Sequence, residues 1–222
     1  EDLSGLSDLV EVGGDLYLGN VSYNNNSLPT LDGLENLRKI GGDLRITFCH
    51  SLEGVAGLSG LEEVGEAILI DDNPRLLNLA GLQQVDSVLT ALTITDNLDL
   101  TDISALGNVE VNGVTVTNNP SLLTLDGLGG VRGIGANITI TNNDSLQDLT
   151  GLENLGAVGG TVTIDDNDGL LSLDGLGATS VGSTIAITNN DALNDLTQLS
   201  GLTLVNGLAI SNGNLIAQLN TG

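Results

Sequence analysis

Two hydrophobic periods alternate along the whole chain. The first is a stretch in which apolar and polar residues alternate, as in Val114-Thr115-Val116-Thr117. Successive side chains of a strand point to opposite faces, so this pattern predicts a strand with one buried face. The second period steps by three residues, as in Leu149, Leu152, Leu155 and Val158. A period of three is typical of turns, 3₁₀ segments or short strands laid around a coil.

The alternating stretch recurs at nearly constant spacing. Its first apolar residues are Leu16, Leu44, Ile68, Leu92, Val114, Ile138, Val162, Ile185 and Leu208. The steps between them are 28, 24, 24, 22, 24, 24, 23 and 23 residues. One coil of this length cannot bury its own apolar edge, whereas stacked coils can. The sequence therefore predicts a β-solenoid of about nine coils of about 24 residues with a parallel β face, forming a single domain over residues 1–222.

An asparagine follows most of these strands at a fixed distance. The six residues that lie five positions after the first strand residue are Asn73, Asn97, Asn119, Asn143, Asn167 and Asn190. In the second copy the same position is Cys49. A side-chain amide inside a corner can pair backbone groups of the neighbouring coils that otherwise stay unsatisfied. We predict a structural ladder of these residues, with a reactive thiol as the alternative for Cys49.

The combined pattern L-x-I-x-x-N-x-x-L-x-x-L-x-G-L-x-x-L-x-x-V-G-G resembles the L-domain-like leucine-rich repeats. It is most similar to the receptor L domain type of secreted and cell-surface proteins, and the resemblance covers essentially all of residues 1–222. The resemblance implies a right-handed solenoid, secretion or surface display, and binding through one face. Receptor-type domains carry disulfides and caps, and this chain departs from them because Cys49 is its one cysteine.

The net charge of the chain limits the kinds of partner that it is expected to bind. The formal net charge is −24, with 29 Asp and Glu residues against five Lys and Arg. Nucleic acids and anionic membranes need clustered cations, so we expect neither as a partner. No stretch has the length of a membrane-spanning helix, and we expect no membrane insertion.

The sequence contains little that indicates a catalytic site. His50 is the only histidine, and it adjoins Cys49 in a strand corner rather than facing it. No phosphate-binding loop, CxxC pair or HExxH helix is present. We expect a protein that is not an enzyme and needs no cofactor.

The outward positions of the strands suggest the function. The first copies carry Tyr17 and Arg45, and Tyr23 lies in a four-residue insertion of the first coil. Because insertions in repeats often bind ligands, we predict an extracellular recognition or adhesion module that binds a protein or glycan through these residues.

The later copies present a lattice of threonines. Its members are Thr93, Thr95, Thr115, Thr117, Thr139, Thr141, Thr163 and Thr188. Stacked at strand spacing, they resemble the face of ice-binding solenoids, so ice is the alternative partner. Ordinary strand chemistry also favours exposed threonine, which leaves a purely structural role open.

Two further hypotheses concern acidic turns and chain ends. Asp165, Asp166 and Asp168 cluster in one turn and could bind calcium, although turns favour aspartate without any metal. The chain starts in mid-coil, so we expect either a segment of a longer protein or ends covered by partners. Head-to-tail self-association into a structural assembly is the third functional alternative.

Overall fold

The computed structural model describes residues 3–19, 28–88, 90–107 and 109–212. These residues form a parallel β-solenoid that contains short 3₁₀ helices (η) and no α-helix. The strands are β1 (Glu11–Val12), β2 (Leu16–Gly19), β3 (Lys39–Ile40), β4 (Leu44–Thr47), β5 (Glu63–Val64), β6 (Ile68–Asp71), β7 (Ser87–Val88), β8 (Leu92–Thr95), β9 (Val114–Thr117), β10 (Ile138–Thr141), β11 (Ala157–Val158), β12 (Val162–Asp165), β13 (Ser180–Thr188) and β14 (Leu204–Ser211). The 3₁₀ helices are η1 (Ser4–Leu6), η2 (Ala56–Leu58), η3 (Ser104–Leu106), η4 (Asp126–Leu128) and η5 (Thr197–Gly201).

The main sheet takes one strand from each coil. Its members in stacking order are β2, β4, β6, β8, β9, β10, β12, β13 and β14, and all neighbouring pairs are parallel. Equivalent residues pair directly, as Ile138 does with Val114 on one side and Val162 on the other. The predicted parallel β-solenoid is therefore confirmed. Coils are numbered below from coil 1 at Leu16 to coil 9 at Leu208.

A second, narrower sheet is made of the two-residue strands β1, β3, β5 and β7. It ends at β7, where coil 4 is only 22 residues long instead of 24. The Val88 N–H still donates to the Glu110 carbonyl at 3.1 Å, but no two-residue strand follows there. The shortened coil thus interrupts the pairing at this position and leaves the main sheet in register. Pairing resumes between Ile134 and Val158, and β11 then pairs with Ser180 and Val181 at the start of β13.

The core consists of stacked columns of aliphatic side chains. Seven side chains of coil 6 are at most 1% exposed, namely Ile138, Ile140, Leu146, Leu149, Leu152, Leu155 and Val158. Burial of each such side chain is worth about 1.5–3 kcal/mol before the entropy cost of ordering the chain. Both hydrophobic periods of the sequence therefore point into one continuous core.

Each strand of the main sheet from β4 to β13 ends in a left-handed corner. The residue before the ladder position has φ between 52° and 57° in Phe48, Asp72, Asp96, Asn118, Asn142, Asp166 and Asn189. Asn and Asp tolerate this conformation better than other non-glycine residues. The recurrence of Asp and Asn at this corner therefore has a conformational cause.

Candidate functional site

The asparagine ladder is buried, and the side chain of each of its six predicted asparagines is hydrogen-bonded. Its six predicted asparagines are 0% exposed. In Asn119, the side-chain Nδ2 donates to the carbonyls of Ile94 and Thr117, both at 3.0 Å. Its Oδ1 accepts the backbone N–H of Asn97 at 3.2 Å. The ladder satisfies backbone groups at the corner, which is a structural role.

Both ends of the described ladder depart from asparagine or from its spacing. Cys49 is 0% exposed, and its thiol donates to the carbonyl of Leu18 at 3.5 Å. The last described member is Asn212, whose Oδ1 accepts the N–H of Asn190 at 2.9 Å. Sequence reasoning missed Asn212 because it follows Leu208 by four residues rather than five.

A second set of small polar side chains was also missed. Five residues after the ladder position, a side-chain oxygen accepts the N–H two residues ahead, in Asn78, Asp102, Thr124, Asp148, Ser172 and Asp195. These Asx- and ST-type turns fix the next corner of each coil. The recurrence of short polar residues at one repeat position was the signal.

The outward face of the main sheet presents the predicted threonines in two columns. Strand register aligns Thr93, Thr115, Thr139 and Thr163 in the first column. The second column aligns Thr95, Thr117, Thr141, Asp165 and Thr188. All of these side chains are half-buried, because residues of the neighbouring strands flank them within the same face of the sheet.

The two columns differ in hydrogen bonding. In the second column, Thr95 Oγ1 donates to Asp71 Oδ1, Thr188 Oγ1 donates to Asp165 Oδ1, and Thr141 Oγ1 donates to Thr117 Oγ1 at 3.1 Å. In the first column, the four threonine hydroxyls make no hydrogen bond to any described residue. The first column therefore keeps its hydroxyls available to solvent or a ligand.

At the first coils, the same face carries an aromatic and a cation in contact. The Arg45 guanidinium lies 5.3 Å from the centroid of the Tyr17 ring, and Tyr17 is 58% exposed. Asp43 accepts from Arg45 Nη2 at 2.6 Å and from Arg45 Nε at 3.1 Å. Asp15 accepts the Tyr17 hydroxyl at 2.9 Å. We call Asp15, Tyr17, Asp43 and Arg45 the Tyr–Arg cluster.

The hydrogen bonds of this cluster set its protonation. The N–H of Asp43 and then the hydroxyl of Tyr17 lower the pKa of Asp15. The same Asp15 carboxylate raises the pKa of Tyr17. The cluster therefore holds an anionic Asp15 and a neutral, donating Tyr17 at neutral pH. Tyr23, the third predicted ligand residue, lies outside the described residues.

The acidic turn of coil 7 is arranged for protein hydrogen bonding. Asp165 Oδ1 accepts from Thr188 and from Asn189 Nδ2, the latter at 2.9 Å. Asp166 has a pKa raised by desolvation and then by the charge of Asp168. Among the described residues, no group of three or more His, Cys, Asp or Glu side chains has the arrangement of a metal site. The geometry gives the calcium hypothesis no support.

The neighbours Cys49 and His50 do not form a pair. Cys49 is fully buried, whereas His50 is exposed and lies 3.5 Å from Asp72 through Nε2 and Oδ2. Within the described ranges, no helix is long and apolar enough to cross a membrane. End-to-end association remains a prediction; β2 pairs with β4 alone and β14 with β13 alone in the part of the chain that the structure describes.

Comparison with protein-family models, with curated proteins and with solved structures gave no match for this chain. The receptor L domain resemblance therefore remains a prediction from the repeat pattern. Function has to be argued from the surface of the solenoid.

Proposed function

We propose that this chain is a non-enzymatic, extracellular recognition module that binds a protein or glycan partner through the outward face of the main sheet. The observation that carries the proposal is the Tyr–Arg cluster. It combines a 58% exposed aromatic ring with a guanidinium fixed on that ring. Tyrosine and arginine are, with tryptophan, the residue types enriched in binding hot spots.

The cluster is ordered before any ligand arrives. Asp43 holds the Arg45 side chain through two contacts, and Asp15 holds the hydroxyl of Tyr17. Ordering an exposed side chain on binding costs about 0.5–1.5 kcal/mol, so a prearranged pair loses less affinity. Tyr23 stays a sequence-based candidate for contact with the same partner.

A binding screen with variants tests this proposal. The purified chain is applied to a glycan array and to immobilised extracellular matrix proteins, beside Tyr17→Ala and Arg45→Ala. We expect any specific ligand to lose at least about ten-fold in affinity with either variant, which is the usual effect at a hot spot. Arg75→Ala is the matched control, because Arg75 is an exposed arginine paired with Glu53 away from the strand face. A ligand that binds both strand-face variants normally contradicts the proposal.

Ice binding is the second candidate, and the first threonine column favours it. Thr93, Thr115, Thr139 and Thr163 stack on consecutive strands with hydroxyls that bind no described residue. Strand geometry spaces them at about 4.8 Å along the solenoid and places the second column about 7 Å away. A regular array of methyl and hydroxyl groups of this kind can order a layer of water.

Thermal hysteresis separates the two candidates. An ice-binding face gives faceted crystals and a freezing-point gap that Thr115→Tyr removes, because a bulky ring breaks the flat array. Thr90→Tyr is the control, since Thr90 is exposed outside the main sheet. Unshaped ice at high protein concentration excludes this candidate and leaves recognition. Loss of activity in both variants would instead indicate a general loss of structure.

A further inference from the structure

One edge of the solenoid carries an exposed apolar surface that the strand face does not use. It directly follows the asparagine ladder in coils 3 to 5, and its residues are Pro74, Leu77, Leu98, Pro120 and Leu123. The three leucines are 46%, 51% and 58% exposed. We call these five residues the edge patch. Exposed Arg75, Asp99 and Thr101 lie among these residues on the same edge. On a chain with net charge −24, apolar side chains gathered at one edge in this way mark an interaction site.

The backbone beneath the patch is fixed from coil to coil. The N–H of Thr101 donates to the carbonyl of Leu77 at 3.1 Å, and the N–H of Leu123 donates to Thr101 at 3.3 Å. Two positions before Thr101, the N–H of Asp99 donates to the carbonyl of Pro74 at 3.2 Å. The patch therefore presents its leucines at fixed spacing.

The same edge turns acidic in the following coils. Where coils 3 to 5 have Pro74, Leu98 and Pro120, coils 6 to 8 have Asp144, Asp168 and Asp191. Among the described residues these three aspartates form no ion pair, and every described ion pair lies before coil 4. The edge therefore offers an apolar half beside an unneutralised negative half.

The exposed leucines continue into the acidic half at a regular interval. Leu77, Leu123 and Leu171 occupy the same position of coils 3, 5 and 7, and Leu171 is 48% exposed. Two coils span about 9.6 Å at strand spacing. Seven residues of an α-helix span about 10.5 Å. The two repeats differ by about 1 Å per step, so a helix that lies parallel to the column of leucines keeps three of its residues within about 2 Å of register with them.

We propose that this edge binds a basic amphipathic α-helix of a partner protein. Its apolar residues, seven positions apart, lie on Leu77, Leu123 and Leu171. Its Lys and Arg side chains pair with Asp144, Asp168 and Asp191. About 14 helical residues span the distance between the outer leucines. A second copy of this chain fits poorly, because it is equally acidic and its described residues contain no α-helix.

The charge of the coil 7 corner agrees with a cationic partner. Desolvation and the carboxylates of Asp168, Asp165, Asp144 and Asp191 raise the pKa of Asp166. Lysine or arginine brought to this corner relieves that repulsion. Binding therefore weakens with added salt and with each aspartate removed.

The test uses the whole chain and a synthetic 21-residue lysine-rich peptide with leucine at every seventh position. We expect Leu123→Ser to weaken binding about ten-fold in calorimetry, since it removes a central apolar anchor. Asp168→Asn is expected to weaken binding and to flatten its salt dependence. Leu204→Ser, at a 59% exposed leucine outside the edge, is the matched control and binds as the unmodified chain does.

Three results would overturn the proposal. The first is equal binding of a peptide with the same residues in scrambled order, which reveals charge attraction alone. The second is unchanged affinity in both Leu123→Ser and Asp168→Asn. The third is a dimer without peptide that Leu123→Ser dissolves in sedimentation, which assigns the edge to a second copy. Tyr17→Ala must bind the peptide normally, so this test is independent of the strand-face proposal.

Discussion

Asn73 directs two hydrogen bonds to a single atom of Asn97: its backbone N–H and its Nδ2 reach Oδ1 of Asn97 at 3.2 and 3.1 Å. The same relation joins Asn97 to Asn119 and Asn143 to Asn167. In each of these pairs the N–H donor belongs to the earlier coil and the Oδ1 acceptor to the later one. Each coil therefore depends on its successor to satisfy a buried N–H group.

Removing the side chain of one ladder asparagine should lower the free energy of unfolding. Asn119→Ala leaves the buried N–H of Asn97 without this acceptor and removes one donor from the carbonyls of Ile94 and Thr117, of which Thr117 keeps the N–H of Asp96 at 3.1 Å. Each unsatisfied buried group costs about 1–3 kcal/mol, so we expect the free energy of unfolding to fall by at least about 2 kcal/mol. Urea denaturation measures this. Asn154→Ala is the control, since Asn154 makes one exposed hydrogen bond and its loss should cost under about 1 kcal/mol.

The left-handed corner predicts a second pair of outcomes. Asn142 has φ 55°, which a β-branched side chain adopts only with strain. Asn142→Val should lower the free energy of unfolding by about 1–2 kcal/mol. Asn142→Gly accepts this φ and should stay within about 0.5 kcal/mol. Equal losses in both variants would show that the exposed hydrogen bond to Asn118 matters and the conformation does not.

Because the coils stack closely, Gly151 leaves no room for a larger residue. At Gly151, with φ +110°, an added Cβ would lie 2.0 Å from the carbonyl oxygen of Leu125 in the preceding coil. Gly151→Ala should therefore destabilise the fold by more than about 1 kcal/mol. At Gly129 the nearest atom is 3.6 Å away, and its φ is −61°. Gly129→Ala should stabilise slightly, and a thermal melt that ranks the two variants otherwise contradicts the coil spacing.

The acidic corner of coil 7 predicts a pH effect. The pKa of Asp166 is raised in the folded state, so its ionised form destabilises the fold above that pKa. Asp166→Asn keeps the left-handed corner and should raise Tm at pH 7. The gain should vanish as the pH falls through the raised pKa and below the ordinary value of 3.8. The melts are compared at low ionic strength, because salt screens the repulsion.

Asp195 gives the opposite sign and serves as the control for this effect. The N–H and side chain of Thr197 lower the pKa of Asp195, so its charge stabilises the fold above the ordinary value. Asp195→Asn should lower Tm at pH 7, with the difference lost as the pH falls through the lowered pKa. The same direction of change in both variants would contradict the assigned causes.

The repeat made most of the fold predictable. Buried columns need the same residue type in each coil, so the strand starts at Val114 and Ile138 and the corner amides could be located from spacing alone. Features that occur only once in the structure could not be predicted from the sequence, because the repeat pattern carries no information about them. The contact of Arg45 with Tyr17 depends on side-chain rotamers, and Asn212 depends on a shortened corner.

The exposed leucines of this edge were not predicted for a related reason. Leu77, Leu123 and Leu171 read as further members of a leucine-rich pattern, although they lie one residue beyond a buried leucine. Only the corner geometry separates the inward leucine from the outward one. A motif written by residue type cannot make that distinction.

The ladder hydrogen bonds, each donated from one coil to the next, also affect how the chain folds during its synthesis. The corner of one coil is completed by an asparagine about 24 residues later, for example Asn143 by Asn167. A growing chain emerges from its first residue, so each new coil closes the one before it. Folding can follow synthesis one coil behind, and every pairing joins neighbours in time as well as in space.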